Sequence, residues 1–552
     1  MIFIFSAACG HAATELEPIV VRQSPYGSAG QSGGPVTGVV TSEDIKGMPV
    51  NTSEDLLNYL GVDVQARGLY GVKSDISINA STFQQVLILV NGVSVKDTQT
   101  SHHDLDLYFN LDDVEKIELI PAAASAKYGP GGSGGAINFV LKKAGANAEK
   151  NFISVSGGNH DTAEQKLGLS CNLFKAKNRF SFSNSSSGGS RYDTDFRTDT
   201  FFSSSVWEYE DSAFYLDGGY SEKEFGAYDF YTPNRGYPSK EWVNTKFIDA
   251  RAVLKSERFI SERIIFEPRL NFRQHRDKFM LDITRPNLYL NYHTTNTYQA
   301  GGRVSVPFGK NDLSLGADYS EEQIISNNLG KHVRGRWDAY LDPTFELGAS
   351  TTLNLAVRVD SYTTFAEEFT GSLSLKHIFD EKNDVYVTFG RTIRVPTFTE
   401  LYYSDPTTAG DANLKSESAL NLETGWGRKF SETLRGSLSF FVRNESDTID
   451  YTKLTTADPK FIARNIAKAA TQGINFYLKW EANKKLSFDL RYLFNNKRRK
   501  NNGQIFKYGL SHLKHMIDFG IDNKFYSGRN RVDFIMKKKP GRRDWVLVND
   551  RV

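Results

Sequence analysis

Of the chain's 552 residues only two are cysteine, Cys9 and Cys171, and only five are methionine. A disulfide scaffold is excluded, because Cys9 falls in a leader-like stretch and Cys171 is left without a partner. Long apolar runs are also missing. Beyond the first few positions nothing reaches the roughly 18 consecutive apolar residues of a membrane helix, so a helical membrane bundle is excluded as well. Neither sign of charge dominates, with 67 Lys+Arg against 65 Asp+Glu, and no bulk polyanion or polycation is implied as a partner. What is plentiful is aromatic and glycine, at 38 Phe, 26 Tyr and 45 Gly. That balance favours β-structure with many aromatic anchors.

Residues 1–13, MIFIFSAACGHAA, end a short apolar stretch in small residues of the kind signal peptidase accepts, and are read as the remnant of a secretory signal that lacks its charged start. Ser6 stands where a lipoprotein signal has Leu, which argues against a lipidated Cys9. From Gly38 to Lys143 the grammar is mixed α/β. Ser42 and Thr52 supply hydroxyl caps before short amphipathic turns, and Gly61 stops the second of them. Gln85–Gly92 reads as a buried strand closed by an Asn-Gly turn, Val114–Ile120 as a second strand and Gly134–Leu141 as a third.

From Asn151 onward the pattern is alternation of period two, broken every ~15–25 residues by turn chemistry. Leu353, Leu355, Val357 and Val359 share one face, with Asn354, Ala356, Arg358 and Asp360 on the other; Ile517, Phe519 and Ile521 alternate in the same way with Asp518, Gly520 and Asp522. The breaks are short and long by turns along most of the chain. Tight turns on one rim and long loops on the other indicate a transmembrane antiparallel barrel of about 20 strands, since backbone in lipid is fully paired only in a closed sheet. Leu353, Leu355 and Val357 are then expected to face lipid, and Asn354, Arg358, Asp518 and Asp522 the lumen.

Three segments carry a more specific signal. Val86–Val93, Val114–Ile120 and Ser125–Lys142, in that order and spacing, resemble the plug of a TonB-dependent outer-membrane receptor, and Gly390–Tyr403 followed by Asn413–Glu417 resembles that family's mid-barrel signature. Asn465 with Gln472-Gly473 resembles a later one. The glycines at 129, 131, 132, 134 and 135 also have a reading of their own, as positive φ and close backbone approach before a strand. They are not a phosphate loop, because no Lys-Ser/Thr and no helix follows.

The resemblance implies a mainly β fold. An N-terminal α/β plug (38–145) lies inside the lumen of a barrel (146–552) with about 20 of an expected 22 strands. Residues 14–37 hold a Gly/Ser-rich tether behind Glu17, Pro18, Ile19, Val20 and Val21, which resemble the TonB box that pairs by strand addition with a periplasmic energy transducer. The implied function is ligand-gated import of a metal chelate, ferric siderophore or cobalamin, across the outer membrane of a Gram-negative cell; the implied partners are the transducer, the chelate, outer-membrane lipid and lipopolysaccharide, and the barrel-assembly machinery. Two alternatives are a truncated receptor that transports nothing and a plugged barrel that only binds. No Ser/His/Asp set with catalytic spacing is present, so an enzyme is not expected; neither is a cofactor or a resident metal.

Candidate ligand contacts are Tyr70 and the loop Asp97–Asp106, in which His102, His103 and Asp104 could meet a chelate at the plug apex. Adjacent histidines on a loop also have a plainer reading, as solvated polar residues. The basic runs Lys497–Lys500 and Lys537–Arg543 fall in two long breaks, where glycolipid phosphates rather than nucleic acid are the expected contact. The chain departs from the family in two places. Asn79-Ala80 and Pro121-Ala122 stand where the plug pattern has Arg-Gly, and residues 544–552 look like an interior strand, so that two strands of the family's barrel are unaccounted for and an open gap in the sheet is expected.

Overall fold

The structure, a computed structural model of the whole chain, describes residues 37–46, 48, 50–145, 151–231, 236–256, 264–499, 503–508, 512–525, 528–542 and 544–548. The leader, Glu17–Val21 and the tether lie outside the described residues.

The N-terminal part folds around β1 (Gly38–Thr41), α1 (Ser42–Lys46), α2 (Ser53–Tyr59), β2 (Asp63–Ala66), β3 (Ser74–Ser77), β4 (Val86–Val90), β5 (Val93–Ser94), β6 (Val114–Ile120) and β7 (Gly135–Leu141). Thr52 caps α2 through a reciprocal box with Asp55, and Gly61 leaves the helix at φ +79°. The five-stranded sheet runs β1-β6-β7-β4-β5, with β4 and β7 parallel and the other pairs antiparallel. β4, Val-Leu-Ile-Leu-Val, is its centre: every residue is at most 1% exposed, and at ~1.5–3 kcal/mol per buried aliphatic side chain this strand alone is a large stabilising term. Asn91 (φ +48°) and Gly92 (φ +79°) form the expected tight turn into β5.

The barrel sheet is closed and contains twenty-two strand segments among the described residues. Setting aside the two-residue pieces Thr408–Ala409 and Ile505–Phe506, twenty remain, in agreement with the strand count read from the turns. Successive long strands pair antiparallel, from Phe152–Gly158 with Thr162–Leu173 through His515–Phe525 with Gly528–Lys538. One rim is built from tight turns. Phe174 and Lys175 alone join Thr162–Leu173 to Ala176–Ser187, both at positive φ, and Gly309-Lys310 join Leu290–Phe308 to Asn311–Ser326. The opposite rim carries the longer connections at 188–195, 227–239, 281–289 and 395–416, with exceptions at 159–161 and 327–329, where the chain turns sharply.

Alternation decides which way each side chain points. Asn354, Arg358, Asp360, Asp518 and Asp522 are buried toward the lumen, whereas Val357 (54% exposed), Leu270 (62%) and Trp337 (64%) stand on the outer surface. Leu353 and Leu355 fall on that outer face too, packed against strand neighbours and not against a second sheet. A sandwich is thereby excluded.

Two expectations are corrected. The sheet has no gap among the described residues: the three-residue strand Val546–Val548 pairs with Gly528–Lys538 and lies next to Phe152–Gly158 in the strand order, so the ring of twenty strands closes on itself. Strand number, tilt and shear adjust together, and a ring of twenty still has room for the inner sheet. The basic runs are not simple solvated loops either. Lys497 and Arg499 lie in the strand Leu486–Arg499 and turn inward, to Glu445 at 3.3 Å and Asp450 at 2.7 Å, and Lys537 reaches Asp63 of β2 in the inner domain at 3.0 Å. A strand's inward positions collect charge that sequence alone assigns to a loop.

Closure has a direct readout. The 552-residue chain folded into detergent should run on a gel as a protease-resistant band whose mobility shifts on boiling; a single temperature-independent, protease-labile band would contradict a closed sheet.

Candidate functional site

The inner domain meets the barrel wall along a polar seam, beside an apolar contact of Tyr108 with Phe202 and Phe247. One stretch of the seam starts from the mid-barrel signature. Arg394, 2% exposed, bridges Glu400 (2.8 Å) and Glu417 (2.7 Å), and Glu400 is fixed by capping the short helix α3 (Phe398–Tyr402) through Thr397. Gln85 of the inner sheet donates its amide N–H groups to Glu417 Oε2 and Glu445 Oε1, both at 2.9 Å. Glu445 is also faced by Lys497 at 3.3 Å and Arg443 at 3.6 Å. Buried carboxylates demand such partners. The cations come from the wall, and the inner sheet supplies a neutral amide.

That arrangement explains the departure at Asn79-Ala80. Arg443 donates to the Asn79 carbonyl (3.1 Å), Lys497 to the Ala80 carbonyl (3.3 Å), and Asn475 to Asn79 Oδ1 (3.1 Å). The positive charge absent from position 79 is provided by the barrel. Ala80 nevertheless keeps a left-handed backbone, φ +56°, a conformation that Gly adopts without strain. At the glycine cluster the approach is as close as the sequence requires: Gly131 N–H donates to the Ile393 carbonyl at 2.7 Å, and a Cβ on Gly134 would lie 2.5 Å from Ser81 Cβ.

The second part of the seam is the loop from Asp97 to Asp106. Asp97 is fully buried and accepts N–H bonds from Gln99 (3.0 Å), Thr100 (3.1 Å) and Ser101 (2.8 Å), so the loop winds around its carboxylate. Thr98 and Gln99 carbonyls accept from the backbone N–H groups of Phe398 (3.0 Å) and Thr399 (2.8 Å), which ties the loop to α3. His102 bonds Asp75 (2.6 Å) and stacks on Phe83. His103 is buried: its Nδ1 lies 2.7 Å from Asp106 Oδ2, and Lys73 Nζ sits 3.0 and 3.1 Å from its two ring nitrogens. Asp106 further receives Lys223 (2.9 Å) and His275 Nε2 (3.3 Å) from the wall. Asp104, also buried, accepts from the Asp97 N–H at 2.6 Å.

The four candidate residues therefore do not share one surface. His103 and Asp104 lie inside the seam, His102 at its edge, and Tyr70 is half-buried against Phe196, at φ +51°. Sequence reasoning did not single out Gln85, Glu417, Glu445, Lys223, Glu241, His275 or Asp277 as a set. A usable trace was present: polar and charged residues at every second position, as in His275 and Asp277, mark inward faces, but which of them meet depends on register between strands.

The family model for the TonB dependent receptor-like beta-barrel matches residues 144–532, and that for the TonB-dependent receptor plug domain matches residues 31–136. Among curated proteins, the vitamin B12 transporter BtuB of Photobacterium profundum is 23% identical over 464 residues, covering 79% of this chain and 71% of its own length. Among solved structures, the siderophore receptor PirA of Pseudomonas aeruginosa superposes with a TM-score of 0.70 at 17% identity, covering 91% of this chain and 90% of that one. The ferric enterobactin receptor PfeA does so at 0.72 and 17%, covering 91% and 86%. The two structural likenesses bear on fold alone.

Two outcomes follow from the seam. Gln85→Leu removes both N–H bonds to buried carboxylates, and at ~1–3 kcal/mol for each acceptor left short the free energy of opening β4, read by hydrogen exchange at Val86–Val90, should fall by about 2–6 kcal/mol. Gln85→Glu adds a like charge and should do worse; unchanged exchange in both would show that Gln85 does not hold the sheet. The second outcome concerns acid. Burial, reinforced by Lys73 and His275, holds the His103 pKa down at about 3 against an ordinary 6.5. Between those values the unfolded chain takes up a proton that the folded chain refuses, so this contribution is complete above the ordinary value and is lost as pH falls. The ring is enclosed by Lys73, His275, Asp106 and Glu241. Exchange at residues 95–106, corrected for its intrinsic pH dependence, should therefore accelerate from pH 6.5 toward about pH 4.5, and a flat profile would contradict this.

Proposed function

The chain belongs to the TonB-dependent receptor family, and on that premise we propose that it is an outer-membrane active-transport receptor for a metal chelate, of the cobalamin or ferric siderophore class. The observation that carries this reading is an inner sheet lodged in a closed barrel across a seam of hydrogen bonds and ion pairs, with the Asp97–Asp106 loop clasped by α3. A lumen so filled passes no large solute at rest. A polar seam, unlike an apolar one, loosens at modest cost, because water replaces each bond as it breaks. Part of it is roomy already: a cavity of about 130 Å³ between Lys127 and Tyr128 of the inner domain and Arg269, Arg303 and Arg358 of the wall has room for several waters.

In this reading residues 1–13 are a secretory signal and Glu17–Val21 the segment that adds as a strand to a periplasmic TonB-type transducer, with the tether behind it transmitting the pull to the plug. Tyr70 and His102, at the edge of the seam, are the candidates to touch the chelate first. The barrel's apolar outer face contacts outer-membrane lipid, with lipopolysaccharide at the long-loop rim, and the chain depends on the barrel-assembly machinery to get there. The two chelate classes are suggested by the names of the relatives, cobalamin for one and ferric enterobactin for another.

Val20→Pro removes a backbone donor needed for strand pairing. In cells lacking other receptors, uptake of labelled cyanocobalamin or ferric enterobactin, whichever the wild-type chain binds, should be abolished while binding at the cell surface is retained. Retention of both would show that the segment is not the transducer contact. Binding by the wild type without any uptake would favour a receptor that only binds.

A further inference from the structure

Where the Asp97–Asp106 loop touches the wall, groups suited to a metal ion converge from both sides of the seam. His103 and Asp106 come from the inner domain and His275 from the strand Ile264–Met280, all three buried, with candidate donor atoms within 4.8 Å of one another. A second set, His103 with Glu241 and Asp277, shares the same imidazole. Several polar atoms here have no hydrogen-bond partner: His275 Nδ1, Asp277 Oδ1 and, on the neighbouring strand, His293 Nδ1. Buried orphans of this kind are uncommon, and each calls for an explanation.

We propose that His103, Asp106 and His275 form a binding site for one bare divalent transition-metal ion, distinct from any chelated metal and bridging the inner sheet to the barrel wall. This goes beyond the chelate-receptor reading and does not depend on it. The donor set, two imidazole nitrogens and a carboxylate oxygen, suits borderline ions such as Zn²⁺ and Co²⁺. The spacing suits them too. Bonds of ~2.0–2.2 Å in a tetrahedral shell put neighbouring donor atoms about 3.4 Å apart. His275 Nε2 and Asp106 Oδ2 are already 3.3 Å apart, while His103 Nδ1 and Asp106 Oδ2, at 2.7 Å, need only to part slightly.

The surroundings complete the site. In the metal-free arrangement His103 Nδ1–H and His275 Nε2–H both point at Asp106. On binding, each proton shifts to the other ring nitrogen, and no net proton need leave. His103 Nε2–H then faces Glu241 Oε1, 3.8 Å away, in the carboxylate–histidine–metal order that orients metal-bound imidazoles. On His275 the proton then sits on Nδ1, which faces no hydrogen-bond partner in this structure. Lys223 stays on the other oxygen of Asp106. Lys73, whose ammonium now lies against His103, has Glu241 (3.7 Å) and the face of Tyr231 (5.7 Å) to turn to. Three protein donors leave the fourth position of a tetrahedral shell to water or another small ligand. Since two donors ride on the Asp97–Asp106 loop of the inner domain and one on the wall, any movement that unseats that loop dismantles the site.

The test is a titration of the full chain, without a polyhistidine tag and stripped of metal, with Co²⁺ alone. One equivalent should bind, with the intense visible absorption of tetrahedral Co²⁺. His275→Gln and His103→Gln, one from each side of the seam, should each lose that absorption and weaken binding by about 100-fold or more, Glu241→Gln should weaken it by ~10–100-fold, and His377→Gln, remote from the cluster, should change nothing. Boiling-dependent gel migration confirms that each variant is folded. The proposal is overturned if the wild-type chain shows no tetrahedral Co²⁺ spectrum, or if folded His103→Gln and His275→Gln both keep it. Cobalamin and ferric enterobactin binding, measured separately, decide the chelate reading whatever the outcome with Co²⁺.

Discussion

Glu417 and Glu445 set the terms on which the inner sheet and the barrel can coexist. Both carboxylates are buried in the lumen, so each must be met by cations or donors. The wall meets them with Arg394, Arg443 and Lys497, and the inner sheet with the amide of Gln85. From this contact the rest of the seam follows. Arg394 holds Glu400, Glu400 caps α3, and α3 holds the Asp97–Asp106 loop through two backbone bonds. A change at the carboxylates has a continuous route to the Asp97–Asp106 loop through these hydrogen-bonded groups.

A seam of this composition is stable without being permanent. An apolar interface of the same area would gain from burial alone and would expose that area to water on opening; hydrogen-bonded groups exchange protein partners for water and lose only about 0.5–1.5 kcal/mol each, net. The barrel is the opposite case. Its strands pair in turn around the closed ring, and its outer face is apolar, so opening it in a lipid environment leaves donors and acceptors with nothing to bond. The molecule therefore combines a rigid wall with a content that can be shifted, which is the property an active-transport receptor needs.

Much of the fold was legible because β-structure writes itself locally. Alternation such as Leu353 to Asp360 shows which face is apolar, and Asn91-Gly92 shows where a hairpin turns. The barrel's strand number could be counted from turn residues. Closure could not, because it depends on whether distant strands come into register, and there the open gap expected from the chain's final residues was wrong. The seam was legible in part. The signature around Arg394 stood out, as did His102 and His103, yet whether these faced solvent or the wall was decided by the packing of the inner sheet against strands hundreds of residues away. Lys497 is the clearest case: in sequence it opens a basic run, and in three dimensions it neutralises Glu445. Asn79 is the converse, a lost charge whose replacement lies on another strand.

The claim on which all of this rests is that the inner sheet sits in the lumen in this register against this wall. Ser133 of the inner domain and Thr392 of the barrel are both buried, with their hydroxyl oxygens 3.2 Å apart. With Cys9 and Cys171 replaced by Ser, the double variant Ser133→Cys/Thr392→Cys should form an intramolecular disulfide in the folded chain on mild oxidation, seen as a mobility difference between oxidised and reduced samples. Failure of the two thiols to join while both remain open to a maleimide would place the sheet somewhere else.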